Sequence, residues 1–171
     1  MIVRLRELEL QDAPLMLEWM HDEKVLKGLQ KPFRDMTLEN AVAFIKSVSY
    51  DVVEGNSLHY AIVDEQDEYL GTISLKDLDL VAKHAEYAVT MRSGFHGQGI
   101  GTKATKLLLM KAFTELGLER VYLTVLADNL HAKHMYERSG FKKEGTLRKH
   151  IYKNGQFCDW DLYGVLKKEY S

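Results

Sequence analysis

The first half of the chain shows a strand pattern, then two helical patterns, then three more strand patterns. Residues Ile2–Leu8 alternate between apolar and charged side chains, as a strand does. Residues Gln11–His21 have the pattern of a short helix, and Thr37 is a candidate N-cap for a second helix that continues to Val48. From His59 the period changes to two, which predicts a three-stranded antiparallel meander over 60–64, 69–80 and 84–91.

The second half returns to alternating helices and strands. A glycine-rich segment, SGFHGQGIG, precedes a helical pattern over 102–115. The following patterns predict a strand over 120–126, a helix over 129–139 that ends at Gly140, and a hairpin over 141–151 and 157–166 around Lys153-Asn154-Gly155. The predicted order is β-α-α-β-β-β-α-β-α-β-β, an α/β fold of the α+β kind with a mixed sheet and helices on its faces.

Composition agrees with a single domain over residues 1–171. The hydrophobic share of 46% and the charged share of 28% are typical of a globular protein with its own core. Lys and Arg number 23 against 25 Asp and Glu, giving a net charge of -2. No global positive field is available to hold a phosphate backbone, so we expect no nucleic-acid partner.

Targeting and metal signals are absent from the sequence. The start of the chain lacks the apolar core of a signal peptide, and no stretch approaches the roughly 20 apolar residues of a membrane span, so we predict a cytoplasmic protein with no membrane partner. A single cysteine, Cys158, excludes an internal disulfide and a multi-cysteine zinc site. His131 and His134 lie three residues apart with no third ligand nearby, so no metal is expected.

The loop from His96 to Gly101 is the first candidate for chemistry. Its glycines allow backbone N–H groups to converge, and the following helix adds about half a positive charge at its N-terminus. That arrangement suits a phosphate group. The Rossmann motif needs a third glycine where Thr102 stands, and the Walker motif needs an unbroken Gly-Lys-Ser/Thr. Spacing alone does not separate a phosphate site from an ordinary connector.

Two motifs together resemble the GNAT superfamily of acyl-CoA-dependent N-acetyltransferases. Gly99-Ile100-Gly101 matches the family's Arg/Gln-x-x-Gly-x-Gly/Ala signature, with His96 in place of the usual Arg or Gln. Further along, the family's Asn-x-x-Ala-x-x-x-Tyr-x-x-x-Gly-Phe pattern matches Asn129, Ala132, Tyr136, Gly140 and Phe141. The resemblance covers nearly the whole chain and is greatest for the branch of ribosomal-protein N-terminal acetyltransferases and their small-molecule relatives.

The resemblance implies a binding site for acetyl-CoA as cosubstrate. In the family the fourth and fifth strands diverge, and the pantetheine arm pairs with the fourth strand as an added strand would. Backbone N–H groups from Gln98 to Thr102 would hold the diphosphate, and an N–H near Val89 would polarise the thioester carbonyl. The implied cofactor-binding residues are Val89, Met91, His96, Gly97, Gln98, Gly99, Ile100, Gly101, Thr102 and Asn129. Asn129, at the start of a predicted helix, is expected to be both its N-cap and a cofactor contact.

Two residues are candidates for catalysis. Tyr136 matches the tyrosine that protonates the departing CoA thiolate in many relatives; the alternative is a helix residue that only packs beside Met135. Glu86 is the candidate base, because an alkyl ammonium with a pKa near 10.4 must lose a proton before it attacks. An ordered water is an alternative base, and Glu86 otherwise belongs to an exposed strand or an ion pair.

Two further groups have both a functional and a structural interpretation. In the last strand, alternation places Asp159 and Asp161 on one face and Cys158 and Trp160 on the other. A carboxylate there could attract a cationic amine, or the acidic face could be solvated with Trp160 in the core. A second group falls where relatives build the acceptor wall and is otherwise simply core; it consists of Trp19, Met20, His21 and Phe33.

These observations predict an acetyl-CoA-dependent N-acetyltransferase that acts by direct attack of a primary amine. The acceptor is a small-molecule amine or a protein N-terminus, and a homodimer is compatible with an edge strand and the final hairpin. The alternative is a non-catalytic acyl-CoA-binding or sensing module. The presence of both Tyr136 and a candidate carboxylate favours the enzyme, because a binding module needs neither.

Overall fold

The computed structural model describes residues 1–29, 31, 33–52 and 56–170. Its strands are β1 Arg4–Glu7, β2 Leu58–Val63, β3 Tyr69–Asp79, β4 His84–Met91, β5 Arg120–Leu126, β6 Lys142–Lys153 and β7 Gln156–Leu166. They form one sheet in the order β1-β2-β3-β4-β5-β7-β6. Neighbouring strands are antiparallel except β4 and β5, which are parallel. The predicted mixed sheet is confirmed.

The α-helices in the described ranges follow the predicted order with one addition. They are α1 Ala13–Met20, α2 Glu23–Leu26, α3 Leu38–Ser47, α4 Ile100–Met110 and α5 Leu130–Arg138. The addition is α2, which is one turn long and too short to show a helical period in the sequence. Thr37 caps α3 as predicted, since its hydroxyl accepts a hydrogen bond from the N–H of Asn40 at 3.2 Å.

Residues with positive φ determine where α4 begins and where the final hairpin turns. α4 starts two residues earlier than predicted, because Gly99 adopts a left-handed conformation with φ of 76° and directs the chain at once into the helix. A single π turn, Lys111–Glu115, continues it. The hairpin turns at Asn154 and Gly155, with φ of 51° and 76°, as the asparagine-glycine pair predicts.

Helices cover the two faces of the sheet differently. α4 and α5 pack on the face formed by alternate residues of the strands, such as Tyr60 and Tyr87, and we call this the α4 face. α1 and α3 pack on the other face, against residues such as Ala61 and Val63, and we call this the α1 face. Because strand side chains alternate, neighbouring residues of β4 point to opposite faces. This alternation decides which candidate residues can meet.

Candidate active site

The parallel pair β4 and β5 opens into a gap. Their pairing lasts three residues, His84–Glu86 against Arg120–Tyr122. Beyond it, 87–91 pairs only with β3 and 123–126 pairs only with β7 among the described residues. The edge of β4 that faces β5 is therefore without a strand partner over five residues. An extended group can add to such an edge through main-chain hydrogen bonds.

The N-terminus of α4 lies directly after the open end of β4. Its first helical hydrogen bond runs from the N–H of Lys103 to the carbonyl of Gly99 at 3.1 Å. The N–H groups of Ile100, Gly101 and Thr102 consequently have no acceptor within the helix. Gly97 and Gly99 both have positive φ, and a Cβ built on either meets nothing within 4 Å. The loop leaves open space beside a set of free donors, which suits an anion.

Side chains of the loop hold it against the end of β4. The Nε2–H of His96 donates to the carbonyl of Met91 at 3.0 Å, because a carbonyl can only accept. The side-chain amide of Gln98 donates to the carbonyl of Gly94 at 3.2 Å. Both side chains are exposed and next to the free N–H groups. A direct contact of His96 with phosphate stays a prediction.

Val89 and Met91 lie in the part of β4 that borders the gap. Both are half-buried and pack against the core of the α4 face. Their partners across the other edge are Ile73 and Gly71 of β3. The structure thus brings the two residues to the gap, as the resemblance implies.

Tyr136 projects from α5 into the core of the α4 face. It is 8% exposed, and its ring makes edge contacts with Tyr87 at 5.6 Å and with Phe141 at 6.0 Å between ring centres. Within the described part of the chain no group hydrogen-bonds to its hydroxyl. Burial raises the pKa of Tyr136 to about 12, so it keeps its proton at neutral pH. A protonated hydroxyl with no partner is available to donate.

Glu86 lies on the opposite face of β4 from Tyr136. It points to the α1 face at the last paired position before the gap, with 21% of its side chain exposed. Its nearest cation is the ammonium of Lys76 on β3, at 4.0 Å. The ring of Tyr122 is its neighbour across the β4–β5 pair. The two catalytic candidates can therefore act on one substrate only if the substrate passes through the gap.

The open end of the gap is bridged by α2. Its N-cap Asp22 accepts a hydrogen bond from the hydroxyl of Ser93, just after β4, at 2.5 Å. Beyond its other end, Gly28 approaches Asn129, just after β5, so that a Cβ on Gly28 would lie 3.1 Å from the side-chain nitrogen. The ammonium of Lys153 also donates to carbonyls at the end of α2, those of Leu26, Lys27 and Leu29.

Asn129 has the structural part of its predicted role. Its side-chain oxygen accepts a hydrogen bond from the N–H of Ala132 at 3.3 Å and caps α5. The predicted N-cap is confirmed. Asn129 is half-buried and lies between the end of β5 and Gly28, at the edge of the β4–β5 gap. Its contact with the cofactor stays a prediction.

The acidic residues of β7 do not form a solvated outer face. Asp161 is 1% exposed and binds the ammonium of Lys133 on α5 at 2.7 Å and the hydroxyl of Thr146 at 2.7 Å. Trp160 is half-exposed on the other face and stacks on His150 at 5.2 Å. Of the two interpretations left open by the sequence, the solvated acidic face with Trp160 in the core is wrong, because Asp161 faces the core of the α4 face and is buried. That carboxylate is already paired and holds α5.

Trp19 and Met20 belong to the core of the α1 face, whereas His21 is exposed. Trp19 is 4% exposed, donates from its indole nitrogen to the hydroxyl of Tyr69 at 3.0 Å, and makes an edge contact with Phe33 at 5.1 Å. The structural interpretation therefore applies to this residue.

Sequence reasoning missed three features of the site. These are the bridge made by α2, the contact of Lys153 with that bridge, and the ring of Tyr87 against Tyr136. Lys153 joins residues more than 120 positions away, and a buried tyrosine in a strand resembles any other apolar residue in the pattern. The asparagine-glycine turn was the one signal in the sequence that bears on Lys153, because it predicts that this residue lies at the tip of the hairpin.

The described residues contain neither a metal-binding cluster nor a membrane-spanning helix. No group of three or more His, Cys, Asp or Glu side chains is arranged to hold a metal ion. No helix in the same ranges has both the length and the apolar character needed to cross a membrane.

Comparison with known proteins identifies the family. The model of the acetyltransferase (GNAT) domain matches residues 3–142. The chain belongs to the GNAT acetyltransferase family. It is 29% identical over 169 residues to the uncharacterized N-acetyltransferase p20 of Bacillus licheniformis, covering 98% of this chain and 94% of that protein. It is also 29% identical over 158 residues to spermidine N(1)-acetyltransferase of Escherichia coli K12, covering 91% and 81%.

A solved GNAT structure has the same fold. Spermidine N-acetyltransferase from Vibrio cholerae, crystallised in complex with CoA and spermine, superposes with a TM-score of 0.88 at 21% identity, covering 98% of this chain and 97% of the other. The predicted GNAT fold is confirmed by this likeness, and the predicted N-acetyltransferase class by the family match and the relatives. The roles of individual site residues stay predictions.

Proposed function

We propose that this GNAT acetyltransferase moves the acetyl group of acetyl-CoA to the primary amine of a small molecule by direct attack on the thioester. One observation carries the proposal: within the described ranges, an edge of β4 without a strand partner runs into a helix N-terminus with free N–H groups, and a protonated tyrosine without a hydrogen-bond partner lies beside it. These are the parts that an acyl-CoA thioester requires. A diphosphate needs donors, a pantetheine arm needs a strand edge, and a departing thiolate needs an acid.

Each part has an assigned task in the proposed reaction. The N–H groups of Ile100, Gly101 and Thr102 bind the diphosphate, with the loop 96–99 closing around it. The edge of β4 at Val89 and Met91 aligns the pantetheine, and a backbone N–H near Val89 polarises the thioester carbonyl. The amine forms its bond to the acetyl carbon, the carbon–sulfur bond breaks, and Tyr136 gives its proton to the CoA sulfur.

The amine approaches from the α1 face in this proposal. The carboxylate of Glu86 and the ring of Tyr122 border the gap on that face, and both attract a protonated alkylamine. Glu86 then takes up the amine proton, directly or through an ordered water. Relatives named spermidine N-acetyltransferases make polyamines the first acceptors to examine. The bridging segment around α2 closes this approach at one end.

A thiol-release assay with acetyl-CoA tests the function. The purified protein is offered polyamines, amino sugars and peptides with free N-termini, and release of CoA is measured against an enzyme-free blank. We expect turnover with at least one small amine. Turnover with peptides alone would contradict the small-molecule acceptor. Binding of CoA without turnover of any amine would favour the non-catalytic module.

Replacing Glu86 with glutamine tests the base. We expect an altered pH–rate profile, because the amide keeps the shape of the side chain and cannot accept the amine proton. The rate below the acceptor's pKa should fall, and the two profiles should converge as rising pH deprotonates the free amine. Profiles of kcat/KM for both proteins check this over a common pH range. Superimposable profiles would exclude Glu86 as the base.

Replacing Cys158 with alanine tests direct attack. The thiol belongs to β7, with its Sγ 3.9 Å from the carbonyl of Gln156, and neither β4 nor α5, which form the proposed thioester site, carries a cysteine, so an acetyl-cysteine intermediate is not expected. We expect turnover within about twofold of the wild type. Loss of activity with an unchanged melting temperature would instead indicate a covalent route.

The predicted cytoplasmic location, the single domain and the homodimer stay predictions.

A further inference from the structure

Two hydrogen bonds connect β4 to the first turn of α4. The hydroxyl of Tyr87 lies 2.6 Å from Oγ1 of Thr105. The hydroxyl of Thr105 in turn donates to the carbonyl of Gly101 at 2.6 Å. Tyr87 is 2% exposed and Thr105 is fully buried. The two bonds lie in an apolar core that includes Ile100 and Ala104. Buried polar groups are costly in such a core unless they are paired, so this connection is held strongly.

The direction of both bonds follows from the number of hydrogens. A threonine hydroxyl carries one hydrogen, and Thr105 gives it to the carbonyl of Gly101. Tyr87 must therefore donate its own hydrogen to Oγ1 of Thr105. Burial raises the pKa of Tyr87 well above its ordinary value, which keeps the phenol protonated as the first donor of the pair of bonds.

The carbonyl at the end of this connection belongs to a peptide that takes part in the proposed cofactor site. The C=O of Gly101 and the N–H of Thr102 share one planar peptide unit. Fixing the carbonyl therefore fixes the direction in which the N–H of Thr102 points. That N–H is one of the donors left free at the start of α4. Tyr87 thus sets the orientation of a donor that it does not touch.

The ring of Tyr87 has a second contact. It meets the ring of Tyr136 edge-on, at 5.6 Å and 84°, and the ring of Phe141 at 5.4 Å. Phe at position 87 would keep these ring contacts and lose only the hydroxyl. The two contributions of the side chain can therefore be separated by one substitution.

We propose that Tyr87 is a positioning residue whose hydroxyl, acting through Thr105, aligns the N–H of Thr102, one of the N–H groups at the start of α4 that bind the diphosphate of acetyl-CoA. The inference rests on the proposed function. Tyr87 itself contacts neither the cofactor nor the acceptor. Its expected effect is on cofactor affinity, since its ring still supports Tyr136 when the hydroxyl is removed.

The test compares Tyr87→Phe with Tyr69→Phe. Tyr69 is an equally buried tyrosine whose hydroxyl lies 2.6 Å from that of Thr72, but its side chain packs with α1, on the opposite face of the sheet from α4. We expect Tyr87→Phe to weaken CoA binding, measured by calorimetry, by about fivefold, the worth of one net hydrogen bond. KM for acetyl-CoA should rise in parallel while kcat stays nearly constant. Tyr69→Phe should lower the melting temperature with unchanged CoA affinity.

A second pair of variants tests the same connection even if Tyr87→Phe does not fold. Thr105→Ser keeps the hydroxyl and should bind CoA like the wild type, whereas the nearly isosteric Thr105→Val should show the weaker binding. Unchanged affinity in both Tyr87→Phe and Thr105→Val, or an equal loss in Tyr69→Phe, would overturn the inference. If the wild type itself does not bind CoA, the proposed function fails as well, so the two failures are distinguishable.

Discussion

Replacing Tyr136 with phenylalanine is expected to slow acetyl transfer by about 10²- to 10⁴-fold, the usual contribution of a general acid. Phenylalanine keeps the ring contacts with Tyr87 and Phe141, so the fold and the affinity for acetyl-CoA should change little. The thiolate must then leave without a proton from the protein. Single-turnover rates and calorimetric affinity, measured on the same preparation, separate these two effects.

Tyr163→Phe is the matched control for this experiment. Tyr163 is also buried, and burial together with its bond to Glu137 raises its pKa to about 12. Its hydroxyl donates to the carboxylate of Glu137 at 3.1 Å and not to the gap. We expect a normal single-turnover rate from this variant. An unchanged rate in Tyr136→Phe, or equal losses in both, would remove Tyr136 from the chemistry.

Replacing Asp161 with asparagine is expected to lower the free energy of unfolding by about 3 kcal/mol. The substitution leaves the ammonium of Lys133, 15% exposed, without its carboxylate partner. That pair connects α5 to β7, and α5 carries Tyr136 and is capped by Asn129. Urea unfolding with a two-state fit measures the loss. A decrease below about 1 kcal/mol would contradict the role of this ion pair.

The acid dependence of stability gives the same experiment a second readout. Burial acts to raise the pKa of Asp161, but hydrogen bonds from Lys133 and Thr146 outweigh it and lower the pKa below its ordinary value. The carboxylate therefore contributes stability above its unfolded pKa, and that contribution disappears as pH falls through its folded pKa. The difference in the free energy of unfolding between wild type and Asp161→Asn should be largest near neutral pH and should decrease in acid.

Two further variants complete the comparison. Asp159 lies two residues away on the same face and accepts a hydrogen bond from the N–H of Lys149 at 2.8 Å. An amide oxygen accepts this bond as well, so Asp159→Asn should cost less than about 1 kcal/mol. Adding Lys133→Met to Asp161→Asn should recover part of the loss, because it removes the uncompensated charge.

The fold was predictable because, in nearly every element, apolar residues recur at the spacing of that element's secondary structure. The meander, the asparagine-glycine hairpin and the helix after Gly99 each follow from local patterns that tertiary contacts reinforce. The exceptions have physical causes. α2 is a single turn whose stability comes from contacts distant in sequence, with Ser93 at one end and Lys153 at the other.

The candidate site was only partly predictable. Motif spacing located the glycine loop, Asn129 and Tyr136 in sequence, and the structure gathers them around the gap. Spacing does not tell on which side of a strand the core lies, and this is why the interpretation of Asp161 as part of a solvated face was wrong. Alternation gives two faces, but choosing between them requires knowing where α5 packs. The opposite placement of Glu86 and Tyr136 likewise depends on the order of the strands.

The short β4–β5 pairing also bears on how this protein avoids unwanted association. Unpaired strand edges invite other chains to add to them, and most folds leave such edges at the border of a sheet. Here an additional edge lies in the middle of the sheet, between β4 and β5, and α2 bridges its open end. A foreign strand would have to enter between two strands of the same sheet to reach this edge, so its position protects it from the edge-to-edge pairing that exposes the border strands to other chains.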